Sequence, residues 1–231
     1  MPRHWRKPEG ECWIHQFLDR VCSLLPESGM TIFKSEKPLM WGGLDVPLLG
    51  LSHDWQGNPV EPMPAFSVVA DPVRLWFVAT HRQPAALHPA ARPGQYQREL
   101  WKYDVAELFL GHAESGRYFE FNLAPNGAWW TCEFTAPRVR EEEADIVMPE
   151  VATFADVAPD GAWMVAMAIP LDLLRARLDF GPETLGNVTM ILNSPEQKFL
   201  SATKLPGEEP DFHQPSAFKK VQFMGLQEVW K

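Results

Sequence analysis

Apolar and polar side chains alternate through Leu100–Phe134 (LWKYDVAELFLGHAESGRYFEFNLAPNGAWWTCEF), and the alternation predicts three strands. Val105–Leu110 and Tyr118–Leu123 are joined by the polar loop His112–Arg117, and Trp129–Phe134 follows a Pro125-Asn126-Gly127 turn. Ala106, Leu108 and Leu110 fall on one side of the first strand, and Phe119, Phe121 and Leu123 on one side of the second. The opposite sides carry Glu107 with Val105 and Phe109, then Tyr118, Glu120 and Asn122. A sheet with one apolar face and one face of carboxylate, amide and phenol suits a polar, hydroxyl-rich ligand. Trp101 stands just before it.

Elsewhere the pattern is shorter-ranged. Trp13, Phe17, Val21, Leu24 and Leu25 recur at helical spacing, which predicts an amphipathic helix over Cys12–Leu25 ended by Pro26. Residues 31–66 are rich in Pro and Gly and read as irregular chain and edge strands, whereas Val73–Thr80 reads as a central strand, apolar on both faces. Arg82–Gln97 is punctuated by Pro and Gly and reads as a candidate binding loop. Arg138–Asp145 is a solvated charged run, read as plain surface. Val151–Val157 and Trp163–Ile169 form a hairpin around Pro159-Asp160-Gly161, Pro170 opens a short helix over 171–178, and Asn187–Asn193 and Phe218–Met224 add strands. No internal repeat is visible. The expected fold is all-β: a two-sheet antiparallel β-sandwich, immunoglobulin-like or jelly-roll-like, over residues 31–231, with residues 1–30 as a helical extension.

Charge and composition narrow the partners. A net charge of −9 with no basic patch argues against nucleic acid, and no window is long and apolar enough to span a membrane. Three cysteines, Cys12, Cys22 and Cys132, give neither a disulfide framework nor a metal pair. With no signal peptide visible, a reduced, cytoplasmic protein is expected, export by another route being left open. Ten Trp are many for 231 residues; they fill cores or, when exposed, serve as stacking platforms for sugars or bases.

The candidate chemistry follows from that face. Asp104 and Glu107 sit three residues apart in extended chain, so they project to opposite faces and do not form an acid–base dyad of the kind glycoside hydrolysis uses. Glu107 is assigned to ligand hydrogen bonding and Asp104 to fixing the loop before the strand. Seven dispersed histidines lack zinc spacing. No cofactor is expected: Met and His give no distinctive haem context. Asp156, Asp160 and Glu120 are the acids from which a calcium site could be drawn, but no loop alternates acids closely. Cys132 shares its strand side with Trp130 and Phe134 and reads as a small buried hydrophobe.

Three stretches resemble the family 9 carbohydrate-binding modules and, more loosely, DOMON-like sandwich domains. Trp101-Lys-Tyr-Asp104-Val-Ala-Glu107-Leu-Phe109 is similar to a W-x-x-D-x-V-E-x-F signature. Gly161-Ala-Trp163 through Ile169-Pro170 is similar to G-x-W-x-x-E-x-x-I-P, with Ala166 in place of Glu, and Asp211-Phe212-His213-Gln214-Pro215-Ser-Ala-Phe218 to a closing F-H-x-P-x-x-F-G block, with Lys219 in place of Gly. The likeness spans residues 66–226. It implies a sandwich gripping a sugar between two aromatic rings: Trp101 as one wall, Phe212 (where the family commonly has Trp) as the other, and Glu107 and Asn193 as hydrogen-bonding groups; His213, beside Phe212, could donate to a ligand there or bond a backbone carbonyl in a tight turn. Tyr118, Glu120 and Asn122 extend the polar face. The expected function is non-catalytic carbohydrate binding, with a link to carbohydrate catabolism. The alternatives are an enzyme or enzyme subunit acting on a sugar-like metabolite, which requires a concave pocket holding perturbed titratable groups, and an interaction module that has lost its ligand.

Overall fold

The computed structural model describes residues 21–22, 30–141, 148 and 150–229. Short strands dominate: β1 (Val21–Cys22), β2 (Met30–Lys34), β3 (Leu48–Gly50), β4 (Ala65–Ala70), β5 (Arg74–His81), β6 (Val105–His112) and β7 (Tyr118–Leu123) in the first half. There follow β8 (Trp129–Ala136), β9 (Val139–Arg140), β10 (Ala152–Val157), β11 (Trp163–Pro170), β12 (Thr184–Leu192), β13 (Lys198–Ser201) and β14 (Lys219–Gly225). Helix α1 (Leu171–Leu178) follows β11 and a short α2 (Leu226–Val229) follows β14.

The strands form one strongly curled sheet in the order β10-β11-β5-β4-β2-β14-β12-β6-β7-β8-β9, with β3 on β4, β1 on β3 and β13 on β12. Two arms meet at β14. Its first residues pair antiparallel with Leu185–Gly186 of β12, and Val221–Gly225 pair parallel with β2. The main core lies between the arms, where Leu108, Leu110, Phe119 and Phe121 from one join Phe66, Val68, Phe77 and Val165 from the other. The all-β expectation and the alternation of β6 and β7 match this sandwich-like arrangement.

The antiparallel pairing expected from sequence does not hold throughout: β1 with β3, β14 with β2 and β2 with β4 run parallel. Residues 31–66 are also less irregular than expected, because β2 is an interior strand whose first four residues are buried. A five-residue strand buried on both faces has no alternation to read, and its parallel partners lie far away in sequence. Strand β4 at Ala65–Ala70, buried throughout, escaped for the same lack of alternation, and β13 because its four residues are too few to show one. The helix expected over Cys12–Leu25 lies outside the described residues except for Val21–Cys22, which pair as a strand with Leu48–Leu49.

Helix α1 spans the residues expected of it. Leu171, Leu174 and Leu178 recur on one buried face, Pro170 leads in with φ −58°, and Asp179 closes it in the left-handed region at φ 52°. Gly161 makes the β10–β11 turn at φ 90°, where an added Cβ would meet Pro84 Cγ at 2.5 Å.

Candidate functional site

On the far side of β6–β8 from the main core, a second apolar cluster forms from Val105, Phe109, Tyr118, Trp130, Cys132 and Phe134, roofed by Phe212 and Phe218. The polar face expected on these strands is therefore covered rather than open: Glu107, Glu120 and Asn122 are 2%, 4% and 0% exposed. The roof is incomplete. It leaves a cavity of about 350 Å³, within the usual range for small-molecule sites.

Each wall has a local cause. The register of β6 and β7 sets Glu107 opposite Asn122 and Glu120 opposite Phe109, so the two acids are diagonal neighbours across one strand pair. A single 3₁₀ turn at Leu100–Lys102 presents Trp101, which packs edge-on to Trp130 with centroids 5.2 Å apart. Phe212 packs against Trp55 and Phe199 at 5.9 and 6.2 Å. Trp101, Trp130, Phe199 and Phe212 all line the cavity, together with Glu107, Glu120 and His213. The Nε1–H of Trp130 is buried and meets no acceptor among the described residues.

Thr189 Oγ1 donates to Glu107 Oε2 at 2.7 Å. Burial pushes the Glu107 carboxyl up to about 7 against that bond. Glu120 is raised well above its ordinary value, first by burial and then by the charge of Glu107, while the Asn122 amide, Arg140 and Arg138 pull the other way. His213 is pushed down to about 4, chiefly by burial and then by Arg138. The Tyr118 hydroxyl accepts from the backbone N–H of Arg138 at 3.1 Å and so donates to His213 Nδ1 at 2.8 Å. That assigns the His213 proton to Nε2, which lies 3.7 Å from Glu120 Oε2.

Of the residues singled out from sequence, Trp101, Glu107, Glu120, Phe212 and His213 come together on the cavity. Tyr118 supports His213 from behind. Asn122 lies buried across from Glu107. Asn193 does not line the cavity: its backbone N–H donates to Asp104 Oδ1 and its side-chain oxygen accepts from Gln197 at 2.9 Å. Asp104 also accepts from the Ala86 backbone N–H, which ties the preceding loop to the start of β6. The Arg82–Gln97 loop contributes no side chain to the cavity and docks on the edge of β8 through Gln97 and Trp129.

The charged run after β8 corrects the plain-surface expectation. Arg138 and Arg140 both reach the cavity, with Val139 between them turned outward and 53% exposed. Arg138 pairs with Asp211 at 2.8 Å, and the Arg140 guanidinium lies over the Trp130 ring at 5.5 Å. Alternation in Arg-Val-Arg was the available signal, masked by the acids that follow. Trp130 was legible only as an apolar strand residue, and Phe199 not even as that, since β13 was not read from sequence.

No protein-family model matches the chain. An "Extracellular protein" of Arthroderma benhamiae is 25% identical over 141 residues, covering 54% of this chain and 63% of that protein, so the match spans less than two thirds of the relative's length. Among solved structures, a Bacteroides uniformis protein provisionally described as carbohydrate-binding shares 19% identity at TM-score 0.64, over 85% of this chain and 99% of its own. A family 9 carbohydrate-binding module from Caldicellulosiruptor kristjanssonii, solved with cellotriose, shares 14% identity at TM-score 0.55, over 84% and 94%. The module from the same organism solved with glucose gives 14% and 0.56, over 84% and 96%. These likenesses establish a shared fold.

Proposed function

We propose that the chain binds carbohydrate, without transforming it, in the cavity between β6–β9 and the Phe212 segment. The observation that carries this reading is the convergence of Trp101 and Phe212, from remote parts of the chain, on one cavity that also holds Glu107 and Glu120. Indole and phenyl faces suit the C–H faces of a sugar ring, while carboxyl, imidazole and guanidinium groups suit its hydroxyls. The buried Trp130 N–H supports the reading, since a ligand oxygen would satisfy it. The shared fold with sugar-bound modules supports it as well. Binding of this kind falls at micromolar to millimolar strength, roughly −8 to −4 kcal/mol.

Calorimetry against a panel of mono- and oligosaccharides tests the reading, with wild type beside Trp101→Ala. Loss of stacking on Trp101 is expected to weaken the best ligand by about tenfold, equivalent to about 1.4 kcal/mol. An equal response from both proteins would remove Trp101 from the site.

A second reading is favoured by one observation: the cavity holds two carboxyl groups with perturbed protonation, as an enzyme acting on a sugar would need. Turnover of aryl glycosides that disappears in Glu107→Gln and Glu120→Gln would establish it.

A further inference from the structure

Three buried glutamates on adjacent strands are treated differently. Glu133 on β8 is held by two guanidiniums, Arg117 and, at 2.8 Å, Arg177. Among the described residues, neither Glu107 nor Glu120 has a Lys or Arg nitrogen within 4.0 Å. The groups facing them are few. Thr189 on β12 gives Glu107 a hydroxyl, and His213 offers Glu120 a neutral ring held by Tyr118. Arg138 and Arg140 stand farther off on the same cavity, and the charge of Arg138 is matched by Asp211.

We propose that Glu120 makes this cavity selective for amine-bearing sugars, the ligand's ammonium group taking the place of a proton between Glu107 and Glu120. The proposal rests on the carbohydrate-binding reading above. Burial and mutual repulsion keep protons on the pair near neutral pH. A neutral sugar meets those protonated carboxyls and displaces nothing charged. An ammonium group brings its own positive charge, so one carboxyl O–H gives its proton to the buffer. The resulting carboxylate then accepts charge-assisted N–H bonds, about twice as strong as neutral ones.

The test is calorimetry with glucose, glucosamine and 6-amino-6-deoxyglucose near about pH 6.5, where an aliphatic ammonium stays charged, in two buffers of different ionisation enthalpy. At least one amino sugar is expected to bind about tenfold or more tightly than glucose, with release of about one proton. In Glu120→Gln, the ratio of amino-sugar to glucose affinity is expected to fall to about one, with no proton released. Should that variant fail to fold, proton release by the wild type decides alone. If glucose binds and the amino sugars bind no better, or bind without proton release, the proposal is wrong and the carbohydrate site stands. If no sugar binds the wild type, the site reading fails and takes the proposal with it.

Discussion

A glutamate in water releases its proton well below neutrality, whereas Glu107 holds its own up to about 7 and Glu120 is raised as well. Below about 4.5, the ordinary glutamate value, folded and unfolded chains are both protonated and the pair costs nothing. As pH rises from there toward 7, the unfolded chain ionises first, so these acids subtract stability across that window. His213 acts in the opposite sense. Its folded value of about 4 against an ordinary 6.5 gives stability that is present above 6.5 and lost as pH falls toward 4. Glu120→Gln removes one contribution and leaves the other. Its urea midpoint is expected to gain on wild type as pH rises above about 4.5; parallel curves would mean that Glu120 ionises as it would in water. Alternation put Glu107 and Glu120 on one face of the chain, and that much was legible in sequence. The covering of that face was not, because it depends on Phe212 and Phe218 arriving from far along the chain.

Elements with strong local signals were read well, and elements defined by partners were not. The bounds of β7 and α1 match their sequence patterns because turn residues and periodicity mark both ends. Strand β9 is only Val139–Arg140 and exists because it pairs with Phe134–Ala136. Arg140 became a site residue through that pairing, and Arg138 through the turn that leads into it. Arg140→Ala is expected to weaken sugar binding while leaving thermal stability nearly unchanged, since it sits on a short, exposed edge strand. Gly161 offers the contrasting case. Gly161→Ala would force a side chain into the left-handed region and into Pro84, and is expected to cost more than about 1 kcal/mol in chemical unfolding. A neutral result would show that the β10–β11 hairpin can relax away from the Pro84 loop.

At the scale of the whole molecule, one core spans both arms of the sheet, so neither arm can bury its apolar face alone. Far-UV circular dichroism and tryptophan fluorescence are expected to report a single coincident unfolding transition in urea. Separate midpoints would show that the arms fold as independent units. The all-β class followed from alternation and turns, but the joining of the arms by a strand with one parallel and one antiparallel neighbour did not, because local sequence carries no record of a remote partner's direction.

Phe212, which lines the cavity, and Phe218, packed in the cluster beside it, come directly ahead of β14, the strand on which the two arms meet. The lid of the chamber and the seam of the fold are thus one continuous ribbon.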